Sequence, residues 1–134
     1  MQEARVQQEI VIRTQDRIGI LAEVTRLLSD MGINVQAVRV GVEEDRACLH
    51  LVTSSQSYAR GALQDAGYTV EERDVVVVEL PHHPGFLCRI NEALARKKLT
   101  VDELYATVSD DASTGVVVFS CSNNLHAAQL LRGR

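Results

Sequence analysis

Gly19-Ile20-Leu21-Ala22-Glu23-Val24-Thr25-Arg26-Leu27-Leu28 and Gly85-Phe86-Leu87-Cys88-Arg89-Ile90-Asn91-Glu92-Ala93-Leu94 lie 66 residues apart and share one hydrophobic spacing. Leu21, Val24 and Leu28 return as Leu87, Ile90 and Leu94, the i, i+3, i+7 rhythm of one helix face. The offset holds outward in both directions. Upstream, Ile10 and Ile12 correspond to Val76 and Val78; downstream, Ile33, Val35, Val38, Val40 and Val42 correspond to Leu99, Val101, Leu104, Ala106 and Val108. In both copies the alternation slips by one residue after Val35 or Val101. Because successive strand residues face opposite sides, a shared slip predicts a bulge or bend at the same place in two related strands. After a two-residue insertion the offset becomes 68, pairing Cys48–Val52 with Val116–Ser120 and Leu63 with Leu131. Few identities survive, as in an old duplication, and the period is too long for a usual solenoid unit.

Each copy reads strand, helix, strand, strand, helix. The first strands are Glu9–Thr14 and Val75–Leu80, followed by helices over Ile18–Asp30 and Pro84–Lys97. The second strands are Asn34–Val42 and Thr100–Val108, and the third are Ala47–Ser54 and Gly115–Cys121. The second helices are Tyr58–Ala66 and Asn123–Leu131. Only the first copy has a fourth strand, Tyr68–Arg73. The expected fold class is therefore α+β with antiparallel sheets, in two domains, 8–74 and 75–134, the second lacking its last strand. In a split βαβ pair the missing strand would leave Val75–Leu80 with an open edge, which another segment or another subunit must cover. Asp74 alone separates Arg73 from Val75, so one long strand is expected to run from the first half into the second.

Composition bounds the function. Of 134 residues, 46% are hydrophobic and 24% charged, enough apolar mass for a real core. Aromatics make up 4% and tryptophan is absent, so the core is aliphatic, and 18 valines favour strands. A net charge of −4 argues against a nucleic-acid surface. The stacking aromatics of sheet-type RNA binders are also missing from the first and third strands. No apolar run approaches a membrane span, and Met1–Glu9 is too polar for a signal peptide. Three cysteines, Cys48, Cys88 and Cys121, without C-x-x-C spacing fit a reduced, cytoplasmic chain.

Asp16-Arg17-Ile18-Gly19-Ile20-Leu21 followed by Gly32-Ile33-Asn34-Val35 resembles the ACT domain, and so does Pro84-Gly85-Phe86-Leu87 followed by Leu99-Thr100-Val101. The resemblance spans residues 8–131 and implies two ferredoxin-like βαββαβ modules. It also implies a small amino acid bound at module interfaces, at the first strand-to-helix turn and against the second strand of a neighbouring module. The implied ligand residues are Arg17, Ile18, Gly19, Ile20, Asn34 and Val35 in the first copy. In the second they are His83, Pro84, Gly85, Phe86, Leu87, Thr100, Val101 and Asp102. A helix start offers unpaired N–H groups and partial positive charge to a carboxylate. Asn34 and Asp102 are the nearest oxygen acceptors for an ammonium group. The departures are Ile18, where the family often has proline, and His82-His83 in place of Asp16-Arg17.

Each signal has a plainer reading beside it. Gly19 and Gly85 either leave room for a ligand or merely admit a tight strand-to-helix turn. Asp16 either caps its helix start or competes there with a ligand carboxylate; with His82 in that place, the second module is expected to take the anion more readily. His82, His83 and Cys88 do not make a tetrahedral metal set, so no metal and no cofactor is expected. Cys48 and Cys121 read as buried, inert thiols, because no basic neighbour is evident to lower their pKa. No Ser/His/Asp triad or phosphate-cradling glycine loop is present. The expectation is a non-catalytic amino-acid sensor, a homodimer or higher oligomer that acts on itself or on a regulated enzyme. The alternatives are an assembly module without ligand and, third, a small enzyme.

Overall fold

In the computed structural model, residues 3–15, 18–81, 85–107 and 114–132 are described. They form β1 (Glu3–Gln15), α1 (Ile20–Asp30), β2 (Val35–Glu43), β3 (Arg46–Thr53), α2 (Gln56–Asp65), β4 (Val70–Pro81), α3 (Phe86–Arg96), β5 (Val101–Thr107), β6 (Thr114–Cys121) and α4 (Asn124–Leu131). The chain divides into two compact units. Module one is Gln8–Arg73; module two joins Met1–Gln7 to Asp74–Arg134. β1 and β4 therefore each give one end to each module, and β4 is the long strand expected across Asp74. Strand order is β2-β3-β1-β4 in module one and β5-β6-β4-β1 in module two. The ladders β1·β3, β2·β3, β4·β6 and β5·β6 are antiparallel. The fold is α+β and ferredoxin-like, repeated.

The position of module two's last strand is filled from the other end of the chain. β1 begins at Glu3, six residues before the strand expected at Glu9, and its first part lies beside β4. Ala4 is 5% exposed within the core of module two. The Arg132 Nε donates to the Ala4 carbonyl at 3.1 Å, and Arg5 Nη1 stands 3.8 Å from Glu79 Oε2. Of the two covers anticipated for this edge, another segment is the one observed. Its sequence is mostly polar, because an outer strand with one inward side chain needs no alternating apolar pattern.

The shared slip in the sequence is a shared irregularity in the sheet. Register shifts occur between Val35 and Ala37 and between Val101 and Glu103, so Gln36 and Asp102 occupy equivalent bulges. Helices α1 and α3 begin two residues later than expected, at Ile20 and Phe86. Gly19 and Gly85 precede them with φ of 86° and 95°, outside helical space. Both helices end alike. Ile33 and Gly32 donate to Leu28 and Ser29 carbonyls (2.9 and 2.9 Å); Leu99 and Lys98 donate to Leu94 and Ala95 (3.0 and 2.9 Å).

Each module has its own core. In module one Ile10, Ile12, Leu49 and Leu51 of the sheet pack with Ile20, Val24, Leu28, Ala59 and Leu63 of the helices. In module two Val76, Val78, Val117 and Phe119 pack with Ile90, Leu94, Ala127 and Leu131. The buried face of α1 thus starts at Ile20, not at the expected Leu21, which is 38% exposed; Leu87 is likewise 42% exposed. Leu21 sits about 100° around the helix from Ile20, at the margin of the apolar stripe. No helix among the described residues is long and apolar enough to cross a membrane.

Candidate functional site

Gly19 and Gly85 hold the N-cap positions of α1 and α3 in the left-handed region, and neither cap has a side-chain hydrogen bond. A Cβ built on either glycine would meet nothing within 4 Å. Close helix–strand packing is therefore not what requires glycine here; the positive φ is. Ile18 is fully exposed beside Gly19, and Ile20 is buried in the module-one core. Phe86 is half-buried against the module-two core.

The two helix starts differ in charge. Glu23 lies in the first turn of α1 and accepts the Tyr68 hydroxyl. The first turn of α3 has no acidic residue, and at the position equivalent to Glu23 it carries Arg89, whose guanidinium lies 5.7 Å from the Phe86 ring centre. An anion meets less repulsion at α3. Arg17, Asp16, His82, His83 and Pro84 lie outside the described residues.

The second half of each expected site lies at the other end of the helix. Asn34 is exposed just before β2, and Val35 opens that strand, half-buried against the core. The Asn34 N–H donates to Ser54 Oγ at 3.1 Å, while the Ser54 N–H donates to the Asn34 carbonyl at 2.9 Å. Module two repeats the arrangement: the Thr100 N–H donates to Ser122 Oγ at 3.1 Å, and the Ser122 N–H donates to the Thr100 carbonyl at 3.0 Å. Ser54 and Ser122 were not among the expected site residues. Their signal in the sequence is faint: serine is one of the few identities kept at the offset of 68. Val101 opens β5, half-buried. Asp102 is exposed in the bulge and is the counterpart of Gln36, so Asn34 and Asp102 are not equivalent acceptors; Asn34 and Thr100 are. A cavity of about 430 Å³ is lined by Thr25, Ser29, Gly32, Ile33, Asn34 and Val35.

An 11-residue helix separates Gly19 from Asn34, a rise of about 16 Å. The same holds for Gly85 and Thr100 across α3. A small amino acid cannot touch both halves of one module. The two groups of expected site residues in each module therefore lie at opposite ends of its first helix.

A second polar cluster was not foreseen. In module one Glu9 (0% exposed) and His50 (3%) are buried on the sheet face opposite the helices. Glu9 Oε1 lies 3.0 Å from His50 Nδ1 and accepts from Arg73 Nε at 2.8 Å. His50 Nε2 stands 3.2 Å from both Arg39 Nη2 and Cys48 Sγ. Arg73 Nη2 lies 3.3 Å from Nδ1, so each ring nitrogen has a guanidinium beside it and Nδ1 also faces the Glu9 carboxylate. His50 is thus a basic neighbour of Cys48 that sequence reading did not find, two residues away on the same strand face. The thiol is nonetheless held up, by burial first and by Glu43 second, so it is not a thiolate nucleophile. Two guanidiniums beside the imidazole already supply the positive charge that a metal would bring. The fold does not demand the cluster: the positions of Glu9, Arg39, Cys48 and His50 are Val75, Tyr105, Val116 and Val118 in module two. Cys88, exposed on α3, donates to Glu92 Oε1 at 3.1 Å, and that carboxylate holds the thiol up.

Residues 9–55 match the model of the ACT domain family. No curated protein matches the chain in sequence. Among solved structures, the chain is similar to protein BT0572 from Bacteroides thetaiotaomicron, at 26% identity over 96% of this chain and 88% of that one, with a TM-score of 0.84. It is also similar in fold to the regulatory subunit of aspartate kinase from Thermus thermophilus in its ligand-free form, at 18% identity, 96% and 93% coverage and a TM-score of 0.68. The corresponding subunit from Thermus flavus gives 19%, 96% and 94%, and 0.60. The family's sequence is thus carried by residues 9–55 of the first module, and the chain as a whole shares the fold of these regulatory subunits.

Proposed function

We propose that this protein is a non-catalytic regulator that binds a small amino acid between ACT modules and acts through its own oligomer or through a partner enzyme. The observation that carries the reading is the pair of half-sites, present twice. Each module sets a glycine turn with open space at one end of its first helix and a serine-locked strand start at the other. Since these ends lie about 16 Å apart, a complete site draws one half from each of two modules. Ligand and assembly are then linked by population shift: the amino acid favours whichever packing completes its site. The carboxylate is assigned to the helix start, Gly85 before Gly19, because Arg89 replaces Glu23 there. Ile18, Leu21, Phe86 and Leu87 flank these turns; Asn34 and Thr100, with Val35, Val101 and Asp102, present the opposite wall.

Several facts support the finer points. The family model and the regulatory-subunit neighbours favour regulation over catalysis. Strand β2 is the outer strand of module one and exposes Val38, Val40 and Val42 (43, 44 and 60%). An apolar free edge favours a homodimer. The same edge supports the second reading, an assembly module that holds no ligand.

Thermal-shift screening with each of the twenty L-amino acids separates the two. A ligand at 100 times its Kd adds about 2.7 kcal/mol of stability, a clear rise in Tm. Light scattering with and without the best ligand then reads the coupling to assembly. A screen in which nothing raises Tm, with a stable dimer throughout, leaves the assembly module.

A further inference from the structure

We infer that Ser54 is a positioning residue of the ligand site proposed above, and that Ser122 is its counterpart in module two; the inference rests on that reading of the site. At the ends of β2 and β3 the ladder stops at Val35 opposite Thr53, because the chain after Ser54 turns into α2. One more rung is made with a side chain. The Ser54 hydroxyl accepts the Asn34 N–H, and the Ser54 N–H closes the ring on the Asn34 carbonyl. The only main-chain donor of Asn34 is thereby used and its carbonyl already accepts one bond, so the donor left to a ligand at this wall is the Asn34 side-chain amide. The same ring fixes the backbone of Asn34, which lines the 430 Å³ cavity with Thr25, Ser29 and Val35.

The repeat supplies the independent support. Little else survives between the copies: Asn34 has become Thr100, Thr53 has become Cys121, and Ser55 has become Asn123. The serine and both hydrogen bonds remain, at 3.1 and 3.0 Å in module two. Both residues whose backbone is locked carry side chains that can hydrogen-bond a small zwitterion, an amide in one copy and a hydroxyl in the other. The serine thus hands recognition to the side chain at 34 or 100, so the two walls read the same ligand with different chemistry.

The test is a double-mutant cycle on the full chain, read by calorimetry with whichever of the twenty L-amino acids binds tightest. Ser54→Ala is expected to weaken binding by roughly fivefold, the worth of one hydrogen bond, and Ser54→Thr, which keeps the hydroxyl, to retain it. In an Asn34→Ala background, Ser54→Ala should cost no further affinity, because it acts through that side chain. A merely structural serine gives additive losses instead. Should Ser54→Ala fail to fold, Ser54→Cys, a weaker acceptor of similar size, takes its place, with a partial loss expected. Wild-type binding that Ser54→Ala leaves unchanged, or an additive cycle, overturns this inference alone. Wild-type protein that binds none of the amino acids overturns the proposed function as well.

Discussion

The same substitution, glycine to alanine, should change stability in opposite directions at Gly19 and at Gly61. Neither added Cβ meets an atom within 4 Å, so packing contributes nothing at either site and only the backbone decides. Gly19 sits at φ 86° and ψ 2°; an L side chain held there costs about 1–2 kcal/mol. Alanine also narrows the unfolded ensemble, which returns about 0.4–1 kcal/mol. The net expectation is a loss of about 0.5–1 kcal/mol. Gly61 lies inside α2 and has no positive φ, so alanine there removes the helix-interior penalty of glycine and should gain about 0.5–1 kcal/mol. Urea titrations of the two variants and the wild type measure both changes, and melting temperatures should separate by roughly 3–5 °C per kcal/mol for a chain of this size. Gly19→Asn, whose side chain tolerates the left-handed region, should fall between wild type and Gly19→Ala. The reasoning fails if Gly19→Ala stabilises as Gly61→Ala does, since the turn then has no left-handed residue. If the ligand site is where we place it, Gly19→Ala should also weaken amino-acid binding by more than its stability loss explains.

The remaining predictions concern charge and strain. Glu9→Gln removes the carboxylate that faces both His50 and Arg73, and should cost about 2–4 kcal/mol in urea titration, slightly below the usual figure for a broken buried pair because Arg73 is 36% exposed. Replacing Glu9→Val, Arg39→Tyr and His50→Val together, which copies module two, should recover most of that loss; no recovery would mean that the cluster stabilises the fold beyond its own pairing. Glu72 accepts from Gln56 Nε2 and Arg60 Nη1, both at 2.6 Å, and these bonds hold its carboxyl below the usual range. Its contribution is present above the ordinary carboxylate pKa and is lost as pH falls through the depressed one. Glu72→Gln should therefore flatten the acid limb of the stability curve while changing neutral stability by about 0.5–1 kcal/mol. Lys98, at φ 58° where module one has Gly32, should gain about 0.5–1 kcal/mol on Lys98→Gly, read as a higher urea midpoint.

Much of the fold was legible because it is written twice. One helix pattern is ambiguous, but two at a constant offset, with the same slip after Val35 and Val101, define element order and even the bulges at Gln36 and Asp102. The legibility failed where the signal is not periodic. Residues 3–7 are mostly polar, so the strand that completes module two went unread; only Ala4 turns inward. Leu21 and Leu87 fitted the helical spacing and yet lie exposed, because spacing alone does not say where the apolar stripe is centred. The site divides in the same way. Gly19, Gly85, Asn34 and Thr100 stood out as residue types at telling positions, whereas Ser54 and Ser122 did not, since serine after a strand is ordinary until its partner across the sheet is known.

By itself, then, the sequence determined the duplication, the α+β class and the glycine turns, because these depend on local spacing and on residue types with few conformational alternatives. Tertiary structure decided the rest. It brought the chain's first residues to the edge of its second module, joined Glu9, Arg39, His50 and Arg73 from four strands into one cluster, and set Gly19 and Asn34 at opposite ends of a helix. These are contacts between residues far apart in the chain, and no periodicity in a linear sequence records which distant strands will become neighbours.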